Sequence, residues 1–145
     1  MTDSKQATAS PSVAASGTLE LNSDNFAKAI DDHPFAIVDF WAPWCAPCRA
    51  FAPVFAAAAA KHTDALFAKV NTEDQQRIAA QFGIRSIPTL MIFRDNIIVF
   101  SEPGALGAAA LDQVLMAAKA LDMDTVRQSI EAQEAGESGT ASPAA

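Results

Sequence analysis

Apolar residues recur along this chain with two spacings, alternate positions and intervals near 3.6, and their order sets the expected elements. Thr18 to Leu21 reads as a short strand. Ser23 stands where it can cap a helix whose Phe26, Ala29 and Ile30 share one face, and Pro34 prevents that helix from continuing. Phe35 to Trp41 is apolar except for Asp39 and reads as a buried strand. A helix follows from about Cys45 to His62, with Phe51, Phe55 and Ala58 on one stripe and a kink expected at Pro53, which removes a backbone donor.

Ala65 to Val70 forms the next strand, with Lys69 near its end. Thr72-Glu73-Asp74-Gln75 reads as a capping box for a short helix that buries Ile78, Ala79 and Phe82 and that Gly83 terminates. Thr89 to Phe93 and Ile97 to Phe100 flank Asp95-Asn96, a tight hairpin signal. A last helix starts near Gly107, with Leu111, Val114, Leu115 and Ala118 at helical spacing. The order β-α-β-α-β-α-β-β-α calls for a mixed sheet with helices on both faces, a three-layer α/β sandwich.

Half of the 145 residues are apolar, enough for one core of ordinary size, so one domain is expected, over residues 18–121. Residues 1–17 are mostly Ser, Thr, Ala, Gln, Gly and Pro without periodicity and cannot bury enough apolar surface to offset ordering entropy; they read as disordered. Residues 122–145 read as an extension in which Met123, Val126 and Ile130 allow a short amphipathic helix, followed beyond Gly136 by a loose, disordered acidic tail.

Charge changes this picture little. Of the net −7, residues 122–145 carry −4 through Asp122, Asp124, Glu131, Glu134 and Glu137 against Arg127. A solvated acidic tail explains that excess, and nucleic-acid binding is disfavoured. No run of about eighteen apolar residues occurs, and Met1-Thr2-Asp3-Ser4-Lys5 lacks the basic and apolar regions of a signal peptide, so a cytoplasmic protein without membrane association is expected.

The candidate chemistry sits where the central strand meets its helix. Cys45 falls at or next to a helix N-terminus, where unpaired N–H groups and the helix dipole favour a thiolate, and is the candidate nucleophile. Cys48 lies one turn deeper on much the same face, close enough to close a disulfide, and Pro47 suits a first helical turn. A structural zinc site needs four ligands, and with no second His after His62 and His33 on another element, a redox dithiol is favoured over a metal site. His62 reads as a helix-end residue and His33 as a loop residue. Asp39, alone in its apolar run, is either a satisfied structural acid or, if desolvation raises its pKa, a base for Cys48. Lys69 is either its partner or a snorkelling strand-end residue.

Trp44-Cys45-Ala46-Pro47-Cys48 resembles the active site of the thioredoxin family, usually written Trp-Cys-Gly-Pro-Cys, with Ala46 in place of the glycine. A second block, Phe82 to Leu90, resembles the segment carrying that family's cis-proline, here Pro88. Asp39, Lys69, Pro53 and Gly104-Ala105 fall where the family has its buried acid, its paired lysine, its helix-kink proline and its substrate-side glycine. Phe-Trp-Ala-Pro-Trp-Cys, Val-Asn-Thr-Glu and Phe-Gly-Ile-Arg-Ser-Ile-Pro-Thr look most like the second bacterial thioredoxin type; the two further Cys pairs of that type's N-terminal zinc domain are not in this sequence.

The resemblance implies a thioredoxin-like sandwich and a protein disulfide reductase, in which Cys45 attacks, Cys48 resolves and Asp39 accepts a proton, with Lys69, Pro47 and Pro88 supporting. It implies that Trp44, Ala46, Ile87, Pro103, Gly104 and Ala105 dock an extended substrate backbone. Disulfide-containing proteins and an NADPH-dependent thioredoxin reductase would be its partners, with no bound cofactor and a monomeric state. Two other readings share the fold, a disulfide oxidase or isomerase and a non-catalytic binding module. Ala46-Pro47 lacks the histidine that such oxidants often carry.

Overall fold

The computed structural model describes residues 17–141, with side chains to residue 135. The disorder expected of residues 1–17 concerns, apart from Gly17, residues outside that range, as do the last four residues of the expected tail. The elements in order are β1 (Thr18–Glu20), α1 (Phe26–Asp32), β2 (Phe35–Trp41), α2 (Ala46–Lys61), β3 (Leu66–Asn71), α3 (Gln76–Gln81), β4 (Thr89–Arg94), β5 (Ile97–Pro103), α4 (Ala108–Lys119) and α5 (Met123–Ala141). They build one sheet in the order β1-β3-β2-β4-β5, parallel from β1 through β3 to β2 and antiparallel from β2 through β4 to β5. This is the expected mixed sheet.

Alternation along β2 divides the core in two. Ala36, Val38 and Phe40 face a cluster with Ala29 and Ile30 of α1 and Ile78 of α3. Phe35 and Ile37 face the other way, into Phe51 and Phe55 of α2 and Leu111 and Leu115 of α4. Helices therefore cover both faces, as the element order requires. At the tight turn, Asp95 and Asn96 adopt φ of 52° and 66°, the left-handed pair that a two-residue hairpin demands. Gly83, at φ 64°, follows the end of α3.

Local chemistry departs from expectation at two helix starts and in the length of the last helix. Ser23 does not cap α1; Asn25 holds that position, while the Asn22 side chain accepts the N–H of Asp24 at 2.8 Å and of Asn25 at 3.0 Å and closes the turn first. The capping box does not form either, because α3 begins at Gln76 and the Thr72 hydroxyl donates to the Trp41 carbonyl at 3.0 Å, committing it to β2. The helix expected to be short after Met123 continues to Ala141, past Gly136. Asp122 accepts the N–H of Asp124 at its start, Met123 is buried, and Glu131 to Ala135 are good helix formers.

His62 caps the C-terminal end of α2, as its position suggests, and is buried. Its Nε2 lies 2.8 Å from Asp112 Oδ1, tying α2 to α4.

Because Asn96 occupies left-handed backbone, Asn96→Ala should lower stability by roughly 1 kcal/mol in urea unfolding, whereas Asn96→Gly should lose much less. Equal losses would mean that the side-chain bond from Asn96 to Asp31 matters and the backbone does not.

Candidate active site

The loop after β2 delivers the two cysteines to the start of α2. Cys45 is the N-cap residue with extended backbone (φ −88°, ψ 110°), and Pro47 lies in the first turn. The Cys45 sulfur accepts the backbone N–H of Cys48 at 3.2 Å, taking the part a serine or aspartate oxygen plays at other helix starts. The two residues are joined as a disulfide, with Cα atoms 5.2 Å apart. Both are buried, at 5% and 2% exposure, whereas Trp44 beside them is 63% exposed. Ala46 and Pro47 are exposed as well. Among the described residues, no helix is long and apolar enough to cross a membrane, and no three metal-binding side chains converge.

Two other loops meet this helix start. The Ile87-Pro88 peptide bond is cis, and the Ile87 carbonyl oxygen stands 3.8 Å from the Cys45 sulfur. Trp41 and Ile87 pack on Ala42, Cys45 and Cys48. Gly104, at φ 108°, donates its N–H to the Pro88 carbonyl at 2.8 Å, and Pro103 pairs with Thr89. Pro103, Gly104 and Ala105 are exposed and Pro88 is buried. The residues expected to frame the sulfurs thus converge from three loops.

Beneath them lies a buried acid. Asp39 alternates with Ile37 and stands opposite Leu90, which places it on the α2 side of the sheet. It is 1% exposed, and among the described residues neither carboxylate oxygen has a hydrogen-bond partner. Burial pushes its pKa up from the ordinary 3.8 to about 7; Lys69 pulls the other way, and Glu20 adds to the rise. Lys69 faces Asp39 across the β2–β3 ladder, and its Nζ sits 4.6 Å above the Trp41 ring.

The thioredoxin family model matches residues 17–117. The chain belongs to the thioredoxin family. A Streptomyces coelicolor protein bearing the provisional name thioredoxin 2 is 49% identical over 118 residues, spanning 81% of this chain and 88% of that one. Thioredoxin 1 of Synechococcus elongatus is 49% identical over 80 residues, 54% of this chain and 75% of its own. Among solved structures, a mutant thioredoxin of Halobacterium salinarum superposes with a TM-score of 0.67 at 30% identity, covering 79% of this chain and 98% of its own.

Membership in the thioredoxin family, with Cys45 and Cys48 at disulfide distance, makes the chain a protein-disulfide reductase acting by dithiol–disulfide exchange. The redox group is that disulfide itself. Thioredoxins in general meet disulfide-containing substrates and a thioredoxin reductase. Trp41, part of the Phe-Trp-Ala-Pro-Trp-Cys stretch, packs against the sulfurs, and one residue without a functional signal in the sequence, Glu20, stands opposite Lys69. No motif marks Glu20; only the pairing of β1 with β3 brings it there.

The raised pKa of Asp39 has a consequence for stability. Between about pH 4 and pH 7 the native state holds a proton that the unfolded chain has released, so stability falls as pH rises through that window. Asp39→Asn removes the loss. The variant should be more stable than the parent at pH 7.5 by up to about 4 kcal/mol, since each pH unit between the unfolded and folded pKa values is worth about 1.4 kcal/mol, and the gain should vanish below about pH 4. Urea unfolding at the two pH values checks this, and a variant less stable at pH 7.5 would make Asp39 a paired structural charge.

Proposed function

We propose that Cys45 is the nucleophile, Cys48 the resolving thiol and Asp39 the proton acceptor of this reductase. The observation that carries the assignment is the Cys45 sulfur at the helix N-cap, accepting the Cys48 N–H, since that N–H and the helix dipole stabilise negative charge on this sulfur. In the reduced protein the Cys45 thiolate attacks one sulfur of a substrate disulfide, and the other sulfur leaves as a thiolate. The Cys48 thiol gives its proton to the Asp39 carboxylate and attacks the Cys45 sulfur, releasing the second substrate thiolate. Two electrons have passed to the substrate, and the Cys45–Cys48 disulfide remains.

Asp39 suits this part because burial holds its pKa near neutrality, where a base can take a proton and give it back. Lys69, opposite it on β3, supplies the nearby positive charge. Pro47 sets the first turn, and Pro88 shapes the loop beside the sulfurs. Trp44, Ala46, Ile87, Pro103, Gly104 and Ala105 form the apolar face that takes the substrate backbone, with Ile87 offering its main-chain groups. An NADPH-dependent thioredoxin reductase in the cytoplasm returns the dithiol, and the protein works as a monomer, without nucleic acid or membrane.

Cys48→Ser should accumulate mixed disulfides with a model protein substrate, because attack survives while resolution is lost. Cys45→Ser should trap none. Non-reducing gels with mass spectrometry read the outcome, and adducts on Cys48 in the Cys45→Ser variant would reverse the assignment.

A further inference from the structure

Register places three ionisable groups in one row across the sheet. On β1 Glu20 pairs with Lys69 of β3, and Lys69 pairs with Asp39 of β2. Residues paired in this way project to the same face, so the Lys69 row lies between the rows of the two acids, with the Lys69 Nζ 4.6 Å above the Trp41 ring. Glu20 as a residue is exposed on the edge strand, yet its carboxyl is tucked against the sheet: burial raises its pKa above the usual 4.5 although Lys69 lowers it. Asp74 raises it further, and the Trp41 indole N–H lowers it from a position short of a formed hydrogen bond.

Few other charges reach Asp39. Leu90 is its neighbour on β4, and Glu102 of β5 lies beyond Leu90, exposed. From α2, Arg49 turns outward to the Pro43 carbonyl and Lys61 pairs with Asp112 of α4. Among the described residues Lys69 is the cation that acts on Asp39, and it acts on Glu20 as well.

We propose that Glu20 is a positioning residue for the exchange reaction, drawing the Lys69 ammonium toward the β1 edge and leaving Asp39 short of counter-charge, so that Asp39 can take up and return the proton of Cys48. This rests on the reading of Asp39 as the acceptor for Cys48. Both effects of Glu20 have one sign, since its own negative charge and its claim on Lys69 each disfavour the Asp39 carboxylate. Two strand spacings, roughly 10 Å, separate the rows of Glu20 and Asp39, and at that range the direct field alone moves an ionisation by about half a pH unit.

The test is a carboxyl carbon NMR titration of Asp39 in the oxidised protein, where neither sulfur titrates, assigned with Asp39→Asn. Glu20→Gln should lower the Asp39 midpoint by about half a pH unit or more, and Glu20→Asp, which keeps the charge, should stay nearer the parent. In a Lys69→Met background the Glu20→Gln shift should shrink, because there is no ammonium left to share. A Glu20→Gln midpoint equal to the parent's overturns the proposal, and an undiminished shift without Lys69 overturns the hold on that lysine. The pH profile of single-turnover disulfide reduction should move with the midpoint. If the midpoint moves and the profile does not, Glu20 acts on Asp39 as proposed, and what fails is the reading of Asp39 as proton acceptor.

Discussion

Strand β2 is hydrogen-bonded on both edges and covered on both faces, and the active site hangs from its C-terminal end. A strand so enclosed cannot slip in register, because a one-residue shift would exchange Ile37 and Asp39 for Val38 and Phe40 on each face. The loop that follows is therefore held at a set height above the sheet. Its Ala42 carbonyl accepts the Cys45 N–H at 3.2 Å, and α2 starts with a sulfur as its cap. The same enclosure buries the Asp39 carboxylate, which meets no hydrogen-bond donor among the described residues.

Two electrostatic devices of opposite sense then lie close together. At the helix start, the Cys48 N–H and the helix dipole favour negative charge on Cys45. Inside the sheet, desolvation disfavours negative charge on Asp39, and Lys69 relieves this only in part. A buried carboxylate with no hydrogen-bond partner is costly once ionised. Its presence in a strand that is otherwise apolar or aromatic works against stability, and the proposed proton transfer to and from Cys48 would give that cost a use.

Elsewhere the protein shows how polar groups outside the site serve packing. His62 is buried between α2 and α4 and turned to Asp112, which Lys61 also meets. Arg94 donates to the carbonyls of Ala118 and Lys119 at the end of α4, at 2.6 and 3.0 Å, satisfying acceptors that a helix end leaves open. Arg127 bridges α5 to Asp95 in the hairpin at 3.1 Å. These ties lie along α4, α5 and the hairpin, away from the cysteines.

Patterns of short range were legible in the chain itself. The apolar run broken once at Asp39, the Cys-x-x-Cys at a strand-to-helix junction and Asp95-Asn96 between two strands each carry their meaning within a few residues, because alternation, helix dipoles and turn dihedrals are local physics. Where a side chain had more than one available partner, the sequence misled: Thr72 met the Trp41 carbonyl rather than its own helix, and Asn22 preempted Ser23. The cis state of Ile87-Pro88, the tie between Gly104 and Pro88, and the His62–Asp112 contact depend on loops and helices distant in sequence. Glu20 is the plainest case. Nothing around it in the chain distinguishes it from any strand-end carboxylate, and only the pairing of β1 with β3, a choice made by the packing of the whole sheet, sets it across Lys69 from Asp39.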